Sequence, residues 1–249
     1  MRLSGAREVD MYGWRGTVGL VKPTFRPGPL EAFIRLLPAG VCVVPRYVGI
    51  SGGTEKEFRE ALTIADQRVG ELAALNVDLV LLQGAPPFML RGPEFDRENS
   101  RQLREKYATP VQSATMIQLD ALQALGAKSL VGLTYFRDDL NPKFAEFFET
   151  AGFQVKAMKG IDVPFADVGK VPVEVIYGAA KKLFRQSGGA DCLYLLGAGW
   201  DCLNAIAPLE RDLRTTVLTN VPADVWATLK FLGIHETTKG FGRLLEELP

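Results

Sequence analysis

The sequence predicts an α/β protein of two pseudo-symmetric halves, each a parallel sheet wrapped by helices, with a site in the cleft between them. Apolar runs of strand length alternate with helical segments along the chain, which is typical of parallel sheets. Residues 78–86 and 191–199 each have an acidic start, an apolar run and a Gly-Ala turn, and 191 − 78 = 113. The same offset pairs residues 18–21 with residues 131–134. The chain is therefore predicted to be a duplicated α/β unit.

Composition indicates a globular protein without a bias towards charged partners. Hydrophobic residues make up 47% and charged residues 23% of the chain, and 29 basic residues balance 29 acidic ones. These values exclude disordered, collagen-like and coiled-coil classes, and they indicate no nucleic-acid or acidic-lipid partner. The N-terminal residues contain no apolar signal segment, and no apolar run reaches the roughly 20 residues of a membrane span. A cytoplasmic protein is expected.

The first half begins after a polar segment, residues 1–16, which is expected to form an arm. Three prolines within residues 22–29 predict a stiff loop before the first helix. Thr54 followed by Glu57 has the spacing of a capping box, which predicts the start of a long helix. The predicted strands are 18–21, 41–48, 77–83 and 109–113, and the predicted helices are 30–37, 54–75, 94–107 and 114–125.

The second half repeats this plan. The tail, residues 222–233, has the spacing of an amphipathic helix and is expected to return to the first half. The predicted division therefore places residues 1–115 and 221–249 in the first half and residues 116–220 in the second. The predicted strands are 129–135, 153–158, 191–196 and 215–219, and the predicted helices are 141–151, 172–186 and 201–212.

Six short motifs follow one another along the chain. They are Leu82-Gln-Gly-Ala85, Phe88-Met-Leu-Arg-Gly92, Asp138-Asp-Leu-Asn141, Asn204-Ala-Ile206 with Glu210-Arg211, Pro222-Ala-Asp-Val-Trp226 and Gly240-Phe-Gly-Arg-Leu244. In this order and spacing, and over nearly the whole chain, they resemble the aspartate/glutamate racemase superfamily, in the branch of arylmalonate decarboxylase and maleate isomerase. The resemblance implies a cofactor-independent enzyme that decarboxylates, isomerises or racemises a small organic carboxylate.

The resemblance also locates a pair of catalytic positions. In that superfamily two cysteines, one at a strand end of each half, face each other across the α-carbon of the substrate, and the decarboxylase keeps only the second. The matching positions here are Gly84 and Gly197, and 197 − 84 = 113. Neither glycine offers a thiol whose pKa can be tuned towards neutrality. Proton transfer is therefore expected to be reassigned, or the reaction class to differ.

Backbone groups remain as a binding scaffold, because glycine leaves room for N–H groups to hold a carboxylate or enolate oxygen. The resemblance places the family's tyrosine on Phe136, and its carboxylate-binding hydroxyls on Ala85 and Pro86. The expected substrate-binding residues are Gly84, Ala85, Pro86, Phe136, Gly197, Ala198, Gly199, Trp200 and Arg46.

Three side chains are candidates for the chemistry. Lys22 ends the first strand, and the internal offset pairs it with Tyr135 because 22 + 113 = 135. The two are expected to enter one cleft as carboxylate anchor and general acid, although Lys22 also fits a solvated loop residue. Asp201 follows the 197–200 turn and is either a helix N-cap, worth about 1 kcal/mol, or a catalytic base.

Several other residues have two interpretations, a role in the site and a purely structural role. Trp200 either walls an aromatic pocket or packs between the halves, and Arg46 is either a carboxylate clamp or an exposed ion-pair partner. Cys202 lies in a first helical turn, where the helix dipole lowers a thiol pKa. His235 is expected at the surface. Because the sequence contains no Cys, His and Asp cluster with metal-ligand spacing, neither a metal nor a cofactor is expected.

Two functions of other classes stay open. One is a carboxylate-binding or regulatory protein that retains the cleft without catalysis. The other is a hydrolase or lyase in which Asp201 activates water. In each case the expected partner is a small-molecule carboxylate, with no nucleic acid and no membrane, and a homo-oligomer is compatible with the sequence.

Overall fold

The structure, a computed structural model, describes residues 13–247 and contains two four-stranded parallel sheets. The strands are β1 (Gly16–Lys22), β2 (Val41–Tyr47), β3 (Leu79–Leu82), β4 (Val111–Ser113), β5 (Ser129–Thr134), β6 (Gln154–Gly160), β7 (Cys192–Leu195) and β8 (Thr216–Thr219). The first sheet has the order β2-β1-β3-β4 and the second the order β6-β5-β7-β8. The same order therefore recurs in both halves, and the predicted fold class is confirmed.

Helices connect successive strands. They are α1 (Gly28–Leu36), α2 (Glu55–Ala73), α3 (Pro86–Met89), α4 (Pro93–Tyr107), α5 (Ala114–Ala124), α6 (Asn141–Thr150), α7 (Val173–Gln186), α8 (Leu203–Leu213), α9 (Asn220–Leu232) and α10 (Arg243–Glu247), with a 3₁₀ helix, η1, at Phe165–Lys170. The predicted capping box starts α2: Thr54 Oγ1 accepts from the Glu57 N–H at 3.3 Å, and the Glu57 carboxylate accepts from the Thr54 N–H at 3.1 Å. Such a cap stabilises a helix by about 1 kcal/mol.

The internal offset holds for whole elements. Adding 113 to the bounds of β2 gives 154–160, the bounds of β6, and adding it to those of β3 gives 192–195, the bounds of β7. The repeated aspartates have a shared structural role: Asp78 Oδ2 accepts from the Thr17 N–H at 2.8 Å, and Asp191 Oδ2 accepts from the Ser129 N–H at 2.9 Å. Each carboxylate therefore links the start of its own strand to the start of the neighbouring strand.

Both sheets contribute to one apolar core. Strands β3, β5, β7 and β8 are buried along their whole length, and one cluster of buried side chains includes residues of both halves. Burying a Leu, Ile, Val or Phe side chain stabilises the fold by about 1.5–3 kcal/mol. Helix α9 packs against α1 and α5. The division at residues 115–116 and 220–221 stays a prediction.

Three local features differ from the sequence-based expectation. Most of the predicted N-terminal arm lies outside the described residues, and Gly16 already belongs to β1. Helices α3, α10 and η1 were not predicted, because four to six residues are too few for a periodic pattern. Within residues 13–247, no helix is long and apolar enough to cross a membrane.

Candidate functional site

A cavity lies where the carboxyl ends of the two sheets meet. It brings together residues that follow β1, β3, β5 and β7, and both Gly84 and Gly197 line it. Ligands bind outside the carboxyl ends of parallel strands in open α/β folds, because the connecting loops gather there. The expected meeting of the two glycine loops is therefore found in the structure.

The cavity has an inner and an outer chamber. The inner chamber has a volume of about 40 Å³, and the outer chamber about 360 Å³. Both are lined by Arg26, Pro29 and the 197–199 loop. Since a cavity of about 10–15 Å³ by this measure is enough for one water molecule, the inner chamber accepts a small polar head and the outer chamber the remainder of a ligand.

The loop after β7 is fixed by two side chains. The Gly197 N–H donates to Asn220 Oδ1 at 2.8 Å, and the Gly199 N–H donates to Tyr135 Oη at 3.0 Å. These two amides are therefore engaged within the protein, which differs from the expectation that the whole loop offers donors to a ligand. The Ala198 N–H has no hydrogen-bond partner among the described residues.

The loop after β3 offers fewer donors than expected. Gly84 has φ +99°, in the region that favours glycine, and a Cβ there would lie 3.0 Å from Pro23. Pro86 begins α3 and has no N–H, so it cannot be a backbone donor. The N–H groups of Gly84 and Ala85 have no partner within residues 13–247. Together with Ala198, these two residues provide three backbone donors beside the cavity that are not engaged by the described part of the chain.

The Tyr135 ring occupies the space that a side chain at residue 197 would need. Gly197 has φ +104°, and a Cβ built there would lie 2.4 Å from Tyr135 Cε1. Tyr135 is 6% exposed, and burial raises the pKa of its hydroxyl to about 12. The phenol is therefore protonated at neutral pH, directly beside the position that the resemblance assigns to the second cysteine.

Substituting Gly197 by alanine is expected to lower the free energy of unfolding by about 2 kcal/mol, because the new methyl group meets the Tyr135 ring and requires a positive φ. Urea denaturation measures the change. Gly178→Ala in α7 is the matched control: a Cβ there meets nothing within 4 Å, so this variant should be neutral or slightly stabilising. Equal effects of the two substitutions would contradict this account of the loop.

A buried lysine and a buried carboxyl group share the inner chamber. Lys22, the last residue of β1, and Asp224, in the first turns of α9, are each 1% exposed. Burial lowers the pKa of Lys22 to about 8 and raises the pKa of Asp224 to about 7, and the attraction between the two groups opposes both shifts. Gln83 Nε2 donates to Asp224 Oδ2 at 2.8 Å. The sequence-based alternative of a solvated Lys22 is wrong, because the side chain is enclosed.

We expect Asp224→Asn to gain stability over the wild type as pH rises from 5 to 8. The folded-state pKa of Asp224 is raised from 3.8 to about 7, so its stabilising contribution is complete below pH 3.8 and is lost as pH rises through 7. Asparagine does not ionise, so the variant does not lose stability in this way as pH rises. The difference in unfolding free energy, from urea melts at both pH values, should grow by at least about 1 kcal/mol, since one pKa unit is about 1.4 kcal/mol. A constant difference would contradict the shift.

Arg26 supplies a guanidinium that the sequence analysis missed. Its Nη2 donates to the Phe165 carbonyl oxygen, its Cζ lies 4.4 Å from the Phe165 ring centroid, and its Nη1 is buried without a partner. Arg46, the predicted clamp, is absent from the lining of both chambers; its Nε donates to the Glu71 carboxylate at 2.9 Å at the surface. Arg46 therefore lies outside both chambers, and its ion-pair interpretation fits the structure.

Aromatic rings form the apolar wall of the inner chamber. Tyr135 and Phe136 both line it, with ring centroids 4.6 Å apart, and Phe58 and Phe165 complete the wall. Phe165 belongs to η1, which places it opposite Arg26. This wall would favour an apolar substituent or a flat unsaturated group on the ligand.

The predicted residues after position 199 line the outer chamber. Trp200 is 4% exposed and packs edge-on against Tyr135 at 5.1 Å, whereas Asp201 is exposed. Asp201 Oδ1 accepts from the Leu203 N–H at 3.4 Å, but the N-cap of α8 is Cys202, so Asp201 lies one residue before the expected capping position. Burial raises the pKa of Cys202 to about 11, so the expected lowering by the helix dipole is wrong. His235 is exposed, as expected.

Sequence reasoning also missed Gln83, Asp224 and Asn220. Asp224 carried a signal: it is a charged residue inside a segment, 221–229, whose other members are apolar or small. Gln83 lies directly before the glycine turn of a strand that is otherwise apolar. Within the described part of the chain, no group of three His, Cys, Asp or Glu side chains could hold a metal ion.

Comparison with known proteins gives a consistent result. Residues 32–245 match the model of the family described as arylmalonate decarboxylase. The curated arylmalonate decarboxylase of Bordetella bronchiseptica is 22% identical over 233 residues, which cover 93% of this chain and 97% of that protein.

Solved structures share the fold. A liganded double mutant of arylmalonate decarboxylase has a TM-score of 0.86 at 21% identity and covers 93% of this chain and 99% of its own. The maleate isomerase Iso of Pseudomonas putida S16 has a TM-score of 0.85 at 20% identity, covering 93% and 98%. A Nocardia farcinica maleate cis-trans isomerase mutant with a covalently bound succinylcysteine intermediate has a TM-score of 0.87 at 21% identity, covering 94% and 99%.

Proposed function

This chain belongs to the arylmalonate decarboxylase family, and on that premise we propose that it is a cofactor-independent enzyme that acts on a small organic carboxylate. The reaction is a decarboxylation or an isomerisation that passes through an enolate-like intermediate. Its acid-base groups are side chains of the inner chamber and do not include thiols at positions 84 and 197.

One observation carries the proposal: two cationic side chains and three free backbone amides converge on one enclosed chamber. Lys22 and Arg26 line the chamber from the first half, and the amides belong to Gly84, Ala85 and Ala198. Donors held in a water-poor cavity stabilise a developing negative charge without reorganising during the reaction. Such an arrangement suits an anion whose charge moves from a carboxylate to an enolate oxygen.

Each group has a role in this scheme. Arg26 holds the carboxylate that remains, since a guanidinium can donate two parallel hydrogen bonds to it. Lys22 balances the charge of the reacting group. The free amides hold the enolate oxygen, and Tyr135 donates a proton to the carbanionic carbon. A phenol with a raised pKa is a weak acid towards water, but an enolate carbon is basic enough to accept its proton.

A thermal-shift panel of arylmalonates, maleate and short mono- and dicarboxylates tests the proposal. Each compound that raises the melting temperature is then incubated in deuterated water and followed by NMR. We expect at least one ligand to release carbon dioxide, to change its double-bond geometry or to exchange its α-proton. Binding without any reaction would favour the carboxylate-binding or regulatory alternative, whereas hydrolysis products would favour the role of Asp201 as a water-activating base.

A further inference from the structure

Three polar residues on one wall of the inner chamber are only partly satisfied by the protein. Asp224 Oδ1 and Gln83 Oε1 are buried and have no hydrogen-bond partner. Within residues 13–247, no hydrogen bond or ion pair engages the Lys22 amino group. Leaving a buried polar group unpaired costs about 1–3 kcal/mol. These groups are therefore available to hydrogen-bond a bound molecule.

The surroundings of Lys22 make its amine a nucleophile. The side chain is 1% exposed, the chamber around it includes apolar residues such as Ile50 and Phe58, and its pKa is lowered to about 8 by burial. A neutral fraction of the amine therefore exists near neutral pH. The exposed Lys170 has the opposite environment, because it pairs with Asp167 at 2.7 Å and its pKa is raised. Desolvated lysines attack carbonyl carbons to form Schiff bases.

We propose that Lys22 forms a Schiff base with a 3-oxo carboxylate and that the protein decarboxylates this class of substrate through an enamine. This inference rests on the proposed function and narrows its substrate class, and it gives Lys22 a covalent role in which an enamine takes the place of the free enolate. It also explains how the reaction can proceed without a thiol, since the iminium nitrogen takes up the electron pair that decarboxylation releases.

The steps balance. The Lys22 nitrogen attacks the ketone carbon, and the oxygen leaves as water with one proton from the amine and one from the protonated Asp224 carboxyl group, which leaves an iminium ion. The bond to the carboxylate carbon breaks, carbon dioxide departs, and the electron pair neutralises the iminium nitrogen as an enamine. Tyr135 protonates the enamine carbon and recovers its proton from solvent. Water then hydrolyses the iminium ion, releasing the ketone and returning the amine to Lys22 and the proton to Asp224.

The shape of the cavity fits a short 3-oxo acid. The inner chamber, about 40 Å³, holds the reacting carbonyl beside Lys22, and the outer chamber, about 360 Å³, receives the rest. When the iminium ion forms and is hydrolysed, the hydrogens of the hydroxyl group and of water need acceptors. Asp224 Oδ1 and Gln83 Oε1 are available for this. Acetoacetate, the smallest stable member of the class, is therefore the probe.

Reductive trapping tests the inference on the full chain. The protein is incubated with acetoacetate and sodium cyanoborohydride near neutral pH, and the adduct is located by intact mass and peptide mapping. We expect one adduct, on Lys22, whose mass equals that of acetone less one oxygen atom, and acetone production without the reductant. Lys22→Arg keeps the positive charge but should give no adduct and at least a 100-fold lower turnover. Lys170→Arg is the matched control and should behave as the wild type.

The outcomes separate the two proposals. Absence of an adduct on Lys22 of the wild-type protein, or adducts spread evenly over surface lysines, overturns the Schiff-base inference even if Lys22→Arg fails to fold. Conversion of an arylmalonate or maleate without any trapping would remove this inference and leave the proposed function standing. If no carboxylate in the panel binds or reacts, the proposed function itself fails.

Discussion

Replacing Tyr135 by phenylalanine is expected to lower kcat at least 100-fold, the usual size of a general acid-base contribution. Phenylalanine keeps the ring that fills the space beside Gly197, so the chamber retains its shape. It removes the proton donor and also the acceptor of the Gly199 N–H, which costs about 1 kcal/mol of stability. Turnover of the substrate identified by the panel, together with a melting curve, measures both effects.

Tyr177→Phe is the matched control for this prediction. The Tyr177 hydroxyl donates to the Asp212 carboxylate on the surface, away from the cavity. Its removal should leave kcat unchanged. An unchanged kcat in Tyr135→Phe, with binding intact, would remove Tyr135 from the chemistry and leave it as a support for the 197–199 loop.

Arg26→Met is expected to lower kcat/KM about 10- to 100-fold. A hydrogen bond to a charged group contributes about 1.5–3 kcal/mol, which corresponds to this range. Methionine keeps much of the apolar stem against Phe165 but cannot bind a carboxylate. The effect should appear mainly in KM if Arg26 only anchors the substrate, and in kcat as well if it holds the charge that develops during the reaction. Steady-state kinetics separate the two cases.

Arg46→Met provides the comparison for Arg26. Arg46 is the carboxylate clamp considered in the sequence analysis, and it forms an exposed ion pair with Glu71 outside the chambers. Exposed pairs contribute at most about 1 kcal/mol to stability, so kinetic constants should not change. A loss of kcat/KM in Arg46→Met that equals the loss in Arg26→Met would show that the cavity is not where the substrate binds.

The fold was predictable because it depends on periodic signals. The alternation of apolar runs with helical segments predicted all eight strands, and the constant offset of 113 residues matched four of them in two pairs, as in 18–21 against 131–134. The two outer strands β4 and β8 do not obey the offset, because 111 + 113 = 224 lies within α9. Their positions followed only from short apolar runs bounded by turns.

The site was less predictable, since side-chain burial depends on contacts between distant residues. Lys22 and Tyr135 were found because they lie at the carboxyl ends of two inner strands, β1 and β5. Arg26 lies in a loop, and its guanidinium donates to the carbonyl oxygen of Phe165, which is 139 residues away in sequence. Asp224 reaches the chamber because α9 contacts elements of both sheets, and a helix pattern alone does not reveal which neighbour a buried charge meets.

A side chain at residue 197 and the Tyr135 ring would occupy the same space. Substitutions at the two positions are therefore expected to depend on each other. A mutation that first places a cysteine at 197 makes its side chain clash with the Tyr135 ring. A mutation that first replaces Tyr135 by a smaller residue leaves a void in the chamber wall. Neither order passes through a well-packed intermediate. Among descendants of this protein, the two positions should therefore change together or stay as they are, and the phenol would act as an evolutionary barrier to thiol chemistry at this strand end.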